Sequence, residues 1–451
     1  MVIFIFLSIA YFIAHLLPHS IARSKENNMP APSKHPFGAF LLSVALTAFA
    51  TNVSAQPSAA NDATRTLVDS FWHAQSDTAR TAAAANLLAA KPDTRSVFRA
   101  LAGADFHRRD VATGVVRASR TSESGLELPY AVLVPTNYDP SKRYPVEFML
   151  HGGVGRPAWQ DNEEFWRRGY ENLLSEDKIT VVPAAWRDAV WWQEEQAQSI
   201  PHILRRVKRD YSVDDNRVTM SGVSDGGTGA YFFAFKQPTP WAAFLPYIGN
   251  AAVLRNPQSG GGYRLYFENL RDKPLFIVNG ESDPLYPAAS IQPFVDVLGE
   301  AKVNFEFTVI ENGGHNLDWL PNQLDRIEAF KRDNPRDALP DVLQWVADRT
   351  DIYNRNHWLV IDERIGFGKP AVITATREGN TFSVDTSGVK GFTLLLSPSE
   401  VDFTAPVTVI LNGQESQAAI VEESTETLLK WAQRDMDRSM LFTAELVIRL
   451  E

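Results

Sequence analysis

The sequence predicts an α/β protein: a doubly wound, mostly parallel sheet, with a helical segment before it and a small β-rich domain after it. Three observations carry that reading. Short continuous apolar runs, such as 145–150, 179–183 and 274–279, recur between segments of helical period across residues 111–334. That is the pattern of parallel strands buried on both faces by crossover helices. Before residue 111 the large apolar side chains fall at helical spacing, and after residue 334 strand and turn signals dominate.

Composition sets the outer bounds. A chain of 451 residues, 44% hydrophobic and 22% charged, is long enough for two or three domains with sizeable cores and is not disordered. A net charge of −10 and the lack of any long Lys/Arg run argue against a nucleic-acid partner. With no cysteine, disulfides, thiol nucleophiles and thiolate metal sites are excluded.

Residues 1–55 read as a targeting segment. Apolar stretches cover 2–17 and 37–50; the second is preceded by Lys34 and followed by Val53-Ser54-Ala55, a small-x-small cleavage pattern. If Met29 is the start, 29–55 is a well-proportioned secretory signal; if Met1 is, 2–17 is a short membrane anchor. The expectation is export to the periplasm or the exterior, with no stable membrane association after cleavage. Removing 1–55 takes away Arg23, Lys25 and Lys34 against Glu26, leaving a more acidic chain.

Residues 56–110 form the N-terminal helical segment. Val68, Phe71 and Trp72, then Phe98 and Leu101, have helical spacing, and Asp77 and Asp93 are candidate N-caps. Two or three short helices are expected, packed on the main domain or capping it, with Trp72 and His73 in the core or along a cleft.

Residues 111–334 are the candidate catalytic domain. Strands are expected at 114–120, 126–134, 145–150, 179–183, 217–221, 244–248, 274–279 and 304–310. Helices are expected at about 161–175, 194–210, 227–236, 288–300 and 321–333. Residues 335–451 are the β-rich, sandwich-like accessory domain, with strands at 358–361, 371–377, 382–385, 392–396, 407–411 and 442–449 and one helix at 424–434. Glu378-Gly379-Asn380 and Asn412-Gly413 are hairpin turns.

The stretch that organises the chain is Gly222-Val223-Ser224-Asp225-Gly226, a G-x-S-x-G pattern between a strand and a helix start. A serine on so tight a turn needs neighbours without bulky side chains, and a helix beginning at Asp225 aims its free N–H groups at the reacting centre. An acid, Asp283, follows the 274–279 strand, and a base, His315, follows the 304–310 strand. Ser224 is the candidate nucleophile, His315 its proton acceptor and Asp283 the group that orients the imidazole. Glu281 and Asp318 are rival acids. Glycines after the 145–150 strand, in His151-Gly152-Gly153-Val154, let the backbone approach an oxyanion. Gly153 and Val154 there, with the N–H of Asp225, are the expected oxyanion hole, and His151 is expected to hold the loop. Trp186, Trp191 and Trp192 are candidates for an aromatic substrate wall or for packing. His73, His107, His202 and His357 lack partners at metal-ligand spacing, so neither a metal nor another cofactor is expected.

With these residues in place, the segment from about 112 to 333 resembles the α/β-hydrolase superfamily. The run Tyr211-Ser212-Val213-Asp214-Asp215-Asn216-Arg217-Val218 leading into Gly-Val-Ser-Asp-Gly-Gly is similar to secreted esterases of the polyhydroxybutyrate-depolymerase-like, feruloyl-esterase-like and phospholipase/carboxylesterase groups. The resemblance implies a metal-independent serine hydrolase that works through an acyl-enzyme on a small or polymeric ester, with Ser224, Asp283 and His315 matching that family's triad. Those esterases often carry an apolar or amide residue after the serine; here it is Asp225, whose carboxylate caps the helix start or faces the cleft.

Two other functions share these features. A prolyl-oligopeptidase-like serine peptidase uses the same triad, but its extra β-domain usually comes first and is larger. A glycan- or polymer-binding protein with a remnant hydrolase core would use aromatics such as Trp358 or Trp431 to stack on sugars.

Overall fold

In chain order, the apolar periodicities resolve into three layers of structure in the computed structural model, which describes residues 59–103, 107–159, 169–366 and 368–450. The targeting segment and most of the helix expected at 161–175 lie outside these residues. Among the described residues no helix is long and apolar enough to cross a membrane.

Helices α1 (Ala59–Trp72), α2 (Asp77–Ala89) and α3 (Thr94–Gly103) open the chain. Ser76, one residue before the expected Asp77, caps α2 by accepting the Ala79 N–H at 3.1 Å. The buried stripe Val68, Phe71, Trp72, Leu87, Val97 and Leu101 does not cap the sheet. It packs against Leu428, Leu429 and Ala432 of a helix far along the chain, 425–435. Trp72 is fully buried and donates its indole N–H to the Lys208 carbonyl at 3.2 Å, so it is core and not cleft.

The middle segment supplies strands β1 (Gly114–Thr121), β2 (Glu127–Val134), β3 (Tyr144–Leu150), β4 (Ile179–Pro183), β5 (Val213–Val223), β6 (Ala243–Tyr247), β7 (Leu275–Gly280) and β8 (Phe305–Ile310). They form one sheet in the order β1-β2-β4-β3-β5-β6-β7-β8. The β1–β2 and β2–β4 pairs are antiparallel and every pair from β4 to β8 is parallel. The chain leaves β3 outward to β4 and then returns to β5 on β3's other side. The loops after β3 and β5 therefore diverge, leaving the crevice where open α/β sheets place ligands.

Helices α4 (Glu194–Asp210), α5 (Asp225–Lys236) and α6 (Ala288–Glu300) cover one face of the sheet. Ile200, Ile203 and Val207 there meet Val146, Phe148, Val218 and Met220. Helix α7 (Leu324–Asp333) covers the other face, Ile327 and Phe330 packing on Leu245, Phe276 and Val278. Alternation along β3 turns Glu147 towards α7, where its carboxylate accepts hydrogen bonds from Lys178 and Lys331, both at 2.7 Å, and from Ser221 at 3.0 Å. Burial alone would raise that carboxyl, but the two ammonium groups outweigh it and hold it well below the ordinary carboxylate range.

The rest of the chain is a sandwich around Trp345, Ile373, Phe382, Phe392, Leu394 and Phe442. Its strands are β9 (Val342–Ala347), β10 (Arg355–Asn356), β11 (Leu359–Arg364), β12 (Ala371–Glu378), β13 (Thr381–Ser387), β14 (Val389–Leu396), β15 (Val407–Leu411), β16 (Gln414–Ala419) and β17 (Ala444–Arg449), with helix α8 (Thr425–Asp435) between the last two. One sheet runs β10-β11-β14-β17 and the other β16-β15-β13-β12-β9. Asn412 and Gly413, both at positive φ, make the tight turn between β15 and β16. Trp358 and Trp431 are not exposed platforms. Trp358 is buried with its N–H on the Pro340 carbonyl, and Trp431 is buried beneath the Arg355 guanidinium, 4.5 Å from its ring centre. Neither side chain can stack on a sugar.

The sandwich is joined to the sheet domain by a buried charge network. Lys208 of α4 reaches Asp215 at 3.0 Å and Asp437 at 2.7 Å, and Arg336 reaches Asp437 at 2.9 Å. Each charge finds an opposite partner, the condition under which buried ions are tolerated.

Candidate active site

β5 ends in a turn whose geometry only this sequence pattern permits. Ser224 sits at φ 57° and ψ −117°, a strained conformation for a residue with a Cβ, held by its N–H on the Tyr247 carbonyl at 2.9 Å. A Cβ on Gly222 would lie 2.0 Å from the Gly226 carbonyl oxygen, and one on Gly226 would lie 2.0 Å from that of Leu150. Both glycines of the G-x-S-x-G pattern are thus steric necessities. α5 begins at the next residue, so its first N–H groups, which have no partner within the helix, lie beside the turn that carries Ser224.

Two further loops at the same sheet edge bring up the candidate acid and base. The loop after β7 is tied to the loop after β8 by Glu281 N–H to the Ile310 carbonyl and Ser282 N–H to the Gly313 carbonyl, both 2.9 Å. Asp283 is buried, and its Oδ1 accepts the backbone N–H groups of Leu285 and Tyr286 at 2.8 and 2.9 Å. That leaves Oδ2 for His315 Nδ1 at 2.7 Å, while His315 Nε2 lies 2.8 Å from Ser224 Oγ. The carboxylate fixes the proton on Nδ1, so the Nε2 lone pair faces the serine hydroxyl. Of the rival acids, Glu281 instead accepts the Asn312 N–H at 2.9 Å, and Asp318 makes its backbone contact with Asn316.

The loop after β3 faces Ser224 directly: a Cβ on Gly152 would fall 2.9 Å from Ser224 Cβ. His151 anchors this loop. Its Nε2 accepts the Ala185 N–H at 3.0 Å and its Nδ1 donates to the Gly152 carbonyl at 2.9 Å, so one neutral tautomer satisfies both contacts. The expected oxyanion set needs one correction. The Val154 N–H is committed to Asp225 Oδ2 at 2.9 Å and is not a free donor. Gly153, at φ +70°, and the Asp225 N–H at the start of α5 remain as the candidate donors.

The aromatic wall also needs correction. Trp191 is fully buried under the loop, its Cβ 2.6 Å from where a Cβ on Gly229 would be, and its indole N–H donates to the His151 carbonyl at 2.9 Å. Trp192 is buried as well, with its N–H on the Ser259 carbonyl at 2.9 Å. Trp186 is 4% exposed. All three support the loops and none presents a ring face to a substrate. The residue that sequence reasoning underused is Asp225. The signal was present in its departure from the usual residue after the serine, but its partner lies across the crevice.

No protein-family model matches the chain. A bifunctional acetylxylan esterase/xylanase from Neocallimastix patriciarum is 27% identical over 177 residues, which is 38% of this chain and 24% of that protein. Among solved structures, a thermophilic esterase from Thermogutta terrifontis aligns with 15% identity and a TM-score of 0.40, covering 49% of this chain and 92% of that one. Dipeptidyl peptidase 4 from Porphyromonas gingivalis aligns with 18% identity and a TM-score of 0.39, covering 49% of this chain and 35% of that one. The strand order of the central sheet, the reversal between β3 and β5 and the strained serine turn after β5 are what the assignment rests on: residues 114–333 have the α/β-hydrolase fold.

Proposed function

We propose that this protein is an exported serine hydrolase that cleaves carboxylic esters. The observation that carries the proposal is the continuous hydrogen-bonded chain from Asp283 through His315 to Ser224 Oγ, with the serine on the strained turn that faces a glycine loop. In this reading Ser224 Oγ attacks the ester carbonyl carbon while His315 Nε2 takes its proton. The carbonyl oxygen becomes an oxyanion that accepts hydrogen bonds from the N–H groups of Asp225 and Gly153. The imidazolium, stabilised by Asp283, returns the proton to the departing alcohol, leaving an acyl-serine. Water then attacks the acyl carbon with His315 as base, releasing the acid and restoring the serine.

The resemblance to part of an acetylxylan esterase/xylanase favours an ester over an amide, and makes an acetyl group on a carbohydrate the first ester to test. The small-x-small pattern at Val53-Ser54-Ala55 supports action outside the cytoplasm. The test is a graded series of acyl p-nitrophenyl esters beside matched peptide p-nitroanilides. Turnover of esters alone is expected. Turnover of anilides would move the protein to the peptidases, and turnover of neither would remove it from both.

A further inference from the structure

A cavity of about 580 Å³ opens between the α1–α2 connection, the β1–β2 edge of the sheet and the second half of α4. None of its walls belongs to the serine turn, the glycine loop or the acid and base loops. Five guanidiniums line it, Arg80, Arg120, Arg205, Arg206 and Arg209, against the single lining carboxylate of Asp77. Some of this charge is balanced locally. Arg80 lies 3.3 Å from Asp77, Arg209 forks onto Asp210 at 2.7 and 2.8 Å, and Arg206 lies 3.7 Å from the same carboxylate.

Two of the five keep donors to spare, although carboxylates act on both at longer range, Asp77 and Asp435 on Arg205 and Glu123 on Arg120. Arg205 forms no hydrogen bond or ion pair among the described residues, and Arg120 Nη1 is buried without a hydrogen-bond partner. Arg80 Nε is buried and unpartnered too. The groups also act on one another. Burial lowers the basicity of Arg80, and Arg209 and Arg205 lower it further against the opposing pull of Asp77. Burial, then Arg205 and Arg120, holds the cavity-lining His202 at about 4, so it is neutral and adds no competing charge. Convergent like charges with unsatisfied donors cost stability in an empty site, and an anion in the cavity offsets that cost.

We propose that this cavity is a binding site for a compact dianion, with its oxyanion oxygens on the Arg120 and Arg205 guanidiniums. Guanidinium forks match phosphate and carboxylate oxygens bidentately, and two guanidiniums with donors to spare, in a lining of five arginines and one carboxylate, match two negative charges. The volume falls in the range of small-molecule sites and exceeds the needs of a bare phosphate. The ligand therefore has a body of about monosaccharide to disaccharide size, carrying either a phosphate ester or two carboxylates.

The test is isothermal titration of the purified protein with glucose 6-phosphate, inorganic phosphate, digalacturonate and, as the neutral control, glucose. One-to-one binding of at least one dianion, and none of glucose, is expected, and Arg120→Ala and Arg205→Ala should each weaken it about tenfold or more. Tighter binding of glucose 6-phosphate assigns a phosphate ester, tighter binding of digalacturonate assigns a dicarboxylate, and equal binding of all three dianions assigns recognition to charge alone. Ser224→Ala should bind as the wild type does. Arg120→Gln and Arg205→Gln, with thermal melting as the folding check, serve if the alanine variants unfold. Failure of every dianion to bind at about 10 mM, or undiminished binding by a folded Arg120/Arg205 double variant, overturns the proposal.

Discussion

Asp225 Oδ2 accepts the Val154 backbone N–H at 2.9 Å, so the residue after the candidate nucleophile straps down the loop that faces it. The two elements come from different strand ends, and this contact sets the distance between them. Asp225→Ala removes the strap and frees the glycine loop. The expected result is a kcat roughly 10- to 100-fold lower with KM little changed, less than the loss of a full oxyanion donor. Asp225→Asn keeps an acceptor oxygen and should stay within a few-fold of wild type. An unchanged kcat in the alanine variant would show that the loop holds its position without the strap.

The hydrogen-bond chain assigns separate consequences to its members. Asp283→Asn leaves the packing intact but lets the imidazole take the wrong tautomer, so kcat should fall about 10⁴-fold. Asp283 Oδ1 also accepts the N–H groups of Leu285 and Tyr286, so Asp283→Ala should lower the melting temperature as well as kcat. Parallel kinetics and melting curves for the two variants separate the roles.

Glu147 lies beneath the sheet, with two lysines and Ser221 on its carboxylate. Glu147→Gln leaves those ammonium groups only the exposed Glu328 carboxylate, 3.4 and 3.1 Å away, and should cost about 3 kcal/mol in denaturant unfolding. Its folded pKa is depressed, so its contribution is complete above about pH 4.5 and is lost as pH falls towards 2. In the variant, that part of the acid-stability profile should flatten.

His357 provides the complementary pH signal. It is fully buried, with Nδ1 donating to the Ala338 carbonyl at 3.0 Å and Nε2 2.9 Å from the Lys273 ammonium. Burial, reinforced by Lys273, lowers it to about 4. Because the unfolded chain takes up the proton first, stability should fall as pH drops from about 6.5 to about 4, by up to about 3 kcal/mol for this group. His357→Gln should remove that slope from the melting temperatures measured across the window. A slope that survives belongs to His107 or His202, which burial also lowers to about 4.

The sheet was legible because its central strands carry compact apolar runs and its edge strands β1 and β8 alternate, each closed by a turn signal, and the chain order of Ser224, Asp283 and His315 follows from three strand ends. Three strands of the sandwich went unread. β16 (Gln-Glu-Ser-Gln-Ala-Ala) has no apolar alternation, because as an edge strand it buries neither face; β10 has two residues; and β9 follows directly on the proline-flanked linker. The N-terminal helices were recognisable, but their partner was not. Their apolar stripe matches any apolar surface, and only the fold brings α8, more than 300 residues away, against it. The tryptophans misled for a related reason. An aromatic after a strand end has the same sequence signature whether it lines a cleft or supports the loop beneath one, and Trp191 does the latter.

The central claim is that Ser224 is the nucleophile that becomes acylated. The most direct measurement is intact-mass and peptide-mapping mass spectrometry after brief reaction with a fluorophosphonate, which traps an activated serine covalently. The account predicts a single adduct on the Ser224 peptide, its absence in Ser224→Ala, and loss of ester turnover in step with labelling. An adduct on another serine, or ester turnover that persists in the fully labelled protein, would contradict it.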